Sequence, residues 1–159
     1  MVIRKAHASE SGRLAEIGFS AWQHAMASWG EDVAALSANA RRAYETFVQD
    51  SWDIILVGEV DSAAAGWGAR EGLRNQITDL WVQPEFQGQG IGSALLQALE
   101  NEVDAAGFET IEIETHARNQ RAIDLYRRRG YVVRALSVKY SAPLNRDIEK
   151  VELTKVLRS

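Results

Sequence analysis

The chain has 159 residues, 46% of them apolar and 25% charged, which suits one soluble domain spanning residues 1–159 around one core. A formal net charge of −4 argues against phosphate-driven nucleic-acid binding, and the absence of any run of 18 apolar residues argues against a transmembrane helix. With no cysteine, disulfides, thiolate metal sites and a cysteine nucleophile are excluded; with no signal-like stretch in MVIRKAHASES, a cytoplasmic protein without membrane partners is expected.

Val2 to Lys5 reads as a short strand. Behind Ser9, a candidate N-cap, Leu14, Ile17, Ala21, Trp22, Ala25 and Met26 recur at helical spacing, with Gly18 as a weak point. Trp29-Gly30 ends that pattern. A second helix carries Val33, Leu36, Ala40, Ala43, Tyr44 and Phe47 on one face. Strands are predicted over 53–60 and 63–70, joined by a turn at Asp61-Ser62, and over Gln76 to Val82, rich in β-formers and stopped by Pro84. A glycine-rich turn then runs straight into a helix bearing Ile91, Leu95, Leu99 and Val103, closed by Gly107. Thr110 to Thr115 is a strand, Asn119 caps a short helix closed by Gly130, and Tyr131 to Tyr140 and Ile148 to Val156 are two last strands. The expected architecture is α/β (α+β): a central mixed, mostly antiparallel sheet of about seven strands flanked by about four helices.

The turn Gln87-Gly88-Gln89-Gly90-Ile91-Gly92, followed by Ser93, is the most informative segment. The first turn of a helix has N–H groups with no internal acceptor, and its dipole favours an anion. Glycines let a phosphate approach the backbone. A P-loop would need Gly-Lys-Ser/Thr, and here Ser93 follows Gly92 with no lysine. A dinucleotide fingerprint would need G-x-G-x-x-G, and here the spacing is G-x-G-x-G. A bare strand-to-helix connection stays open as the plain alternative. Between Ala117 and Arg134 lie six arginines (Arg118, Arg121, Arg127, Arg128, Arg129, Arg134) against one acid, Asp124. On an acidic chain that patch suggests a local anionic ligand, or a solvated helix face.

Together these segments resemble the GNAT family of N-acetyltransferases. Gln87 to Gly92 matches the family's Gln/Arg-x-x-Gly-x-Gly/Ala motif. Asn119, Ala122, Leu125, Tyr126, Gly130 and Tyr131 match its N-x-x-A-x-x-L-Y-x-x-x-G-F/Y pattern, one helix and one strand further on. The resemblance implies an acetyl-CoA cosubstrate, no metal, and an amine acceptor that is a small molecule or a peptide N-terminus; a homodimer is a common family state. It also implies that the backbone of Leu80, Trp81 and Val82 pairs with the pantetheine arm. The amides from Gln87, Gly88, Gln89, Gly90, Ile91 and Gly92 to Ser93 would hold the diphosphate. Asn119 would bond the pantetheine region and Ala122 leave room near the thiol. The family's bulge in the strand before the loop cannot be read from these residues.

Tyr126 occupies the family's position for a hydroxyl near the sulfur, and a half-buried packing tyrosine is its plain alternative. Glu114 is the candidate base, because the polar face of Thr110 to Thr115 can line a groove and the aligned glutamate is the base in ribosomal-protein N-terminal acetyltransferases. An edge glutamate or an ion pair is the alternative, and Asp79 and His116 are weaker candidates for base. The backbone N–H of Val82 is a candidate oxyanion donor. At the end of the first helix, Met26 and an exposed Trp29 are candidate acceptor contacts, with Trp22 more at home in the core. The 141–146 loop is expected to close the other side. Direct attack in a ternary complex is the expected mechanism. The competing readings are a non-catalytic acyl-CoA-binding or sensor module and a nucleotide-binding oxidoreductase domain.

Overall fold

The computed structural model describes residues 1–157. Its elements are β1 (Val2–Lys5), α1 (Ser11–Ser28), α2 (Val33–Ser51), β2 (Ile55–Val60), β3 (Ala63–Ala69), β4 (Gln76–Ile77), β5 (Asp79–Val82), α3 (Ile91–Ala105), β6 (Thr110–His116), α4 (Gln120–Arg128), β7 (Val132–Ser141) and β8 (Arg146–Val156). The expected order of helices and strands is found, with local differences. Ser9 does not cap α1. A single 3-10 turn over Ala8–Glu10 precedes the helix, and the Glu10 carboxylate accepts the His7 N–H at 2.9 Å. Asp32 caps α2 by accepting the Ala35 N–H at 3.1 Å.

The sheet differs more. The mixed, mostly antiparallel α/β architecture with four helices is as expected; among the described residues its eight strands form two four-stranded halves, β1-β2-β3-β5 and β4-β6-β8-β7, rather than one sheet of about seven. The segment Gln76 to Val82, read as one strand, divides at Thr78. Before it, Gln76 and Ile77 pair in parallel with Glu112 and Ile113 of β6. After it, Asp79 to Val82 pair antiparallel with Ala69 to Gly66 of β3. Thr78 makes the switch by giving both its N–H and its hydroxyl to the Ala69 carbonyl. The remaining pairings are antiparallel. A run of β-formers has the same pattern whether it serves one neighbour or two in turn, so the division leaves no trace in periodicity.

Helices α1 and α2 cover one face, burying Leu14, Ile17, Trp22, Tyr44, Val48 and Trp67. Helices α3 and α4 cover the other, with Leu95, Leu99, Ile111, Ile113, Tyr126 and Leu153. The Trp67 indole N–H donates to the Leu14 carbonyl at 2.8 Å, pinning α1 to β3. Gly18 has its reason here. A Cβ added to it would lie 2.7 Å from Tyr44 Cδ1 and 3.2 Å from the Trp67 ring, so the helix approaches the rings only because that carbon is missing. Alanine there gains about 1 kcal/mol of helix propensity and overpacks a buried contact at about 1–3 kcal/mol. Gly18→Ala is therefore expected to lower the urea midpoint, with a net loss of about 1 kcal/mol. A midpoint at or above that of the parent would show that the rings yield.

Candidate functional site

Once β5 turns away to β3, its other edge has no partner strand. The Gln83 N–H donates to the Ala65 carbonyl at 2.8 Å, which sets the phase of the β3–β5 ladder. Asp79 and Trp81 then exchange bonds with β3, while Leu80 and Val82 direct their backbone groups into the gap toward β6. The Val82 carbonyl accepts instead from the Gln87 side-chain amide at 3.3 Å. Two cavities meet at this gap, one of about 530 Å³ and one of about 390 Å³. Trp29, Leu80, Trp81, Asn119, Ala122 and Tyr126 line both.

The larger cavity runs over the glycine-rich turn. Gly88 and Gly90 have φ of +81° and +86°, a region open to glycine and costly for other residues. Gly90 is the N-cap of α3 and has no side chain to occupy the helix end. The first α-type bond of that helix is Ala94 N–H to Gly90 C=O, so the amides of Ile91, Gly92 and Ser93 lack an intrahelical acceptor. Among the described residues no Asp or Glu lines this cavity, and its charged side chains are Arg121 and Arg128. In a chain of net charge −4, that arrangement is suited to an anion. Of the residues expected to hold a cosubstrate, all line this cavity except Gln89, which is exposed at the turn.

Helix α4 brings its own cap to the junction. Asn119 Oδ1 accepts the Ala122 N–H at 3.2 Å, and its Nδ2 donates to Thr115 Oγ1 at 3.0 Å. Both ends of this amide are thus used within the protein. Arg121, Leu125 and Arg128 follow on one face at helical spacing. In the sequence these two arginines stand out only as part of a group; their i, i+7 spacing is the signal that sets them apart. Of the others, Arg118 bonds the Trp29 carbonyl, Arg129 bonds Gln97, and Arg134 pairs with Glu112. Tyr126 is 5% exposed and stands where the two cavities meet. Burial pushes its hydroxyl well above the usual phenol range, which keeps it protonated.

The smaller cavity lies between α1, α2 and the two sheet halves. Met26, Trp29 and Glu114 all line it, as do Trp22, Tyr44 and Phe47. Trp29 is not freely exposed as expected; it is half-buried over His116, ring centres 4.6 Å apart. The Glu114 carboxylate is taken by the Lys139 ammonium, which also reaches Glu152 at 3.2 Å. Asp79 is another acid of this cavity. Burial pushes its carboxyl up to about 7, against the lowering effect of the Trp81 indole N–H at 3.2 Å. Burial lowers the His116 pKa, so its imidazole is neutral; its Nδ1 accepts the Arg118 N–H at 3.1 Å. Ala142, Pro143 and Leu144, in the turn after β7, wall the far side, as expected of that loop. Glu71 and Lys150 also line this space; nothing in their sequence surroundings marked them.

A family model described as "Acetyltransferase (GNAT) family" matches residues 19–131. The fold is shared with solved structures of low sequence identity. A GCN5-related N-acetyltransferase from Rhodopseudomonas palustris superposes with a TM-score of 0.83 at 19% identity, over 98% of this chain and 95% of that one. A PaiA N-acetyltransferase from Thermoplasma acidophilum, in complex with coenzyme A, gives 0.77 at 17% identity, over 98% of each chain. A ribosomal-protein-alanine N-acetyltransferase from Brucella melitensis gives 0.69 at 22%, over 99% of this chain and all (100%) of that one. Among the described residues no helix is long and apolar enough to cross a membrane, and no cluster of three or more His, Asp or Glu could hold a metal.

Proposed function

We propose, from the premise that this chain belongs to the acetyltransferase (GNAT) family, that it moves the acetyl group of acetyl-CoA onto a primary amine by direct attack in a ternary complex. One observation carries the reading: a cavity free of carboxylates and a cavity rich in aromatic and acidic groups meet at Leu80, Ala122 and Tyr126. The complex of the Thermoplasma relative with coenzyme A supports the choice of cosubstrate. The ribosomal-protein activity in the name of the Brucella relative supports an amine acceptor.

Acetyl-CoA supplies an activated acyl carbon and a thiolate leaving group. The free amides from Gly88 to Ser93, with Arg121 and Arg128, hold its diphosphate. The open edge at Leu80 and Val82 takes the pantetheine arm as an added strand. The Val82 N–H faces the gap and stabilises the oxyanion. Asp79, poised near neutrality, accepts the proton that the amine loses as its nitrogen bonds the acyl carbon. Tyr126, kept protonated, gives its proton to the departing sulfur as the C–S bond breaks. Afterwards the proton on Asp79 passes to solvent, and Tyr126 recovers one from it. The net change is amine plus thioester to amide plus thiol. Glu114, held by Lys139, is the second choice of base.

Calorimetric titration with acetyl-CoA, followed by coenzyme A release over a panel of amines, tests the reading. Micromolar uptake with amine-dependent release is expected. Uptake without release from any amine would leave a binding or sensor module. Tyr126→Phe is expected to lower kcat by about tenfold or more while leaving acetyl-CoA affinity nearly intact. An unchanged kcat would remove Tyr126 from the proton path.

A further inference from the structure

Several donors that line the smaller cavity have no acceptor within the protein. Lys150 on β8 is the one lysine or arginine that lines it, and it joins none of the ion pairs among the described residues. The basic groups around it are committed: Lys139 to Glu114 and Glu152, Arg146 to Glu31, Arg118 to the Trp29 carbonyl. Lys150 stands directly opposite His116 in the β6–β8 register, so both side chains leave the sheet on one face as neighbours. The neutral His116 ring uses Nδ1 as an acceptor, so its proton is on Nε2 and free to donate. The Trp22 indole N–H and the Tyr44 hydroxyl, from two residues that line the same space, are buried without a partner. Asp79 feels the charge of Lys150 across the cavity yet does not pair with it.

We infer that the acceptor is a free α-amino acid with a large apolar or aromatic side chain, its carboxylate held by Lys150 and His116 Nε2–H and its amino group facing Asp79. The binding half of this rests on the cavity alone; the acetylation of the bound amino group, once its ammonium has released one proton to solvent and so bears a lone pair, rests on the transferase reading above. Asp79 and Lys150 are too far apart to pair with each other, and a zwitterion between them, with its charges in reverse order, gives each an opposite charge. Trp22, Tyr44 and Phe47 supply the apolar wall for the side chain. The space is also strapped. Asn39 Nδ2 donates to the Ala142 and Pro143 carbonyls at 2.6 and 2.8 Å, tying the β7–β8 turn to α2. Arg146 ties the same end to Glu31 at 2.6 Å. A peptide N-terminus carries no carboxylate beside its amine, so it would leave Lys150 unanswered, and its chain would have to leave past those straps.

The test pairs binding with turnover. Protein saturated with coenzyme A is titrated calorimetrically with phenylalanine, phenylalaninamide, phenethylamine and alanine. Coenzyme A release from acetyl-CoA is then followed with the same four compounds. Phenylalanine is expected to bind about tenfold or more tightly than phenethylamine or the amide, as loss of a charge-assisted bond implies. Alanine, which keeps the zwitterion and lacks the ring, is expected to bind more weakly than phenylalanine. Lys150→Met should bring the kcat/KM ratio of phenylalanine to phenethylamine close to one through KM, and Lys150→Arg should keep most of it. Equal or better binding of phenethylamine or the amide overturns the assignment, as does an equal loss for both compounds in Lys150→Met, or no binding of any compound. Binding in the expected order with no coenzyme A release supports the amino-acid pocket and brings down the transferase reading. Release from phenethylamine as readily as from phenylalanine does the reverse.

Discussion

Asp79→Asn is expected to lower kcat/KM for the amine by about 100- to 1,000-fold, the usual contribution of a positioned general base. The asparagine keeps the shape of the side chain and cannot take a proton. The pH profile is the sharper reading. With the carboxyl pushed up to about 7 by burial, the parent rate should rise as pH climbs through 7 and level above it. The variant should lose that step. Stability should move the other way. The folded protein holds a proton on Asp79 at pH values where the unfolded chain, with an ordinary carboxyl, has released it. The folded state therefore binds more protons between about pH 4 and pH 7, and this group makes stability fall as pH rises across that window. Asp79→Asn should consequently melt at a higher temperature than the parent at pH 8, with the difference shrinking below pH 4. An unchanged rate and pH step in Asp79→Asn would move the base to Glu114, where Glu114→Gln is the next variant to measure.

Gly90→Val is expected to weaken acetyl-CoA binding by about 100-fold, as loss of one or two charge-assisted bonds implies. Two effects combine. At φ +86° a β-branched residue is strained, so the turn shifts and the amides of the first helical turn lose their common aim. In addition, no protein atom lies within 4 Å of a Cβ built at Gly90, so an added side chain meets whatever occupies the cavity rather than the fold. Gly107→Val is the control. Its φ of +94° and open surroundings impose the same backbone strain, but it lies at the far end of the 15-residue helix α3. It should lose stability by about 1–2 kcal/mol and keep its affinity. Calorimetry on both variants, with thermal melts alongside, separates strain from ligand contact. Equal affinity for the Gly90 variant and the parent would mean that the diphosphate is held elsewhere.

The two motifs, Gln87 to Gly92 and Asn119 to Tyr131, were legible because their chemistry is local. A glycine where φ must be positive, an asparagine at a helix start and a tyrosine one turn before the cap declare themselves by position in the chain. The apolar periodicities of α1, α2 and α3 were legible for the same reason, since each helix buries one stripe. The acceptor side was not. By sequence Tyr44 is a packing residue on α2, Lys150 an unmarked position in the last strand, and Asp79 a weaker candidate base than Glu114. Each reaches the smaller cavity beside a residue more than 30 positions away: Asp79 near Tyr44, Lys150 opposite His116.

From the amino-acid order alone came the family resemblance, the glycine-rich turn at the start of α3 and the capped helix with its tyrosine, because short-range backbone geometry and helical spacing dictate them. The division of one β-rich run at Thr78 came only with the tertiary structure. So did the open edge it leaves on β5, the capture of Glu114 by Lys139, and the burial that lifts the Asp79 carboxyl toward neutrality. Pairing partners, ion-pair partners and desolvation depend on which distant segments pack together, and no local pattern of residues encodes that choice.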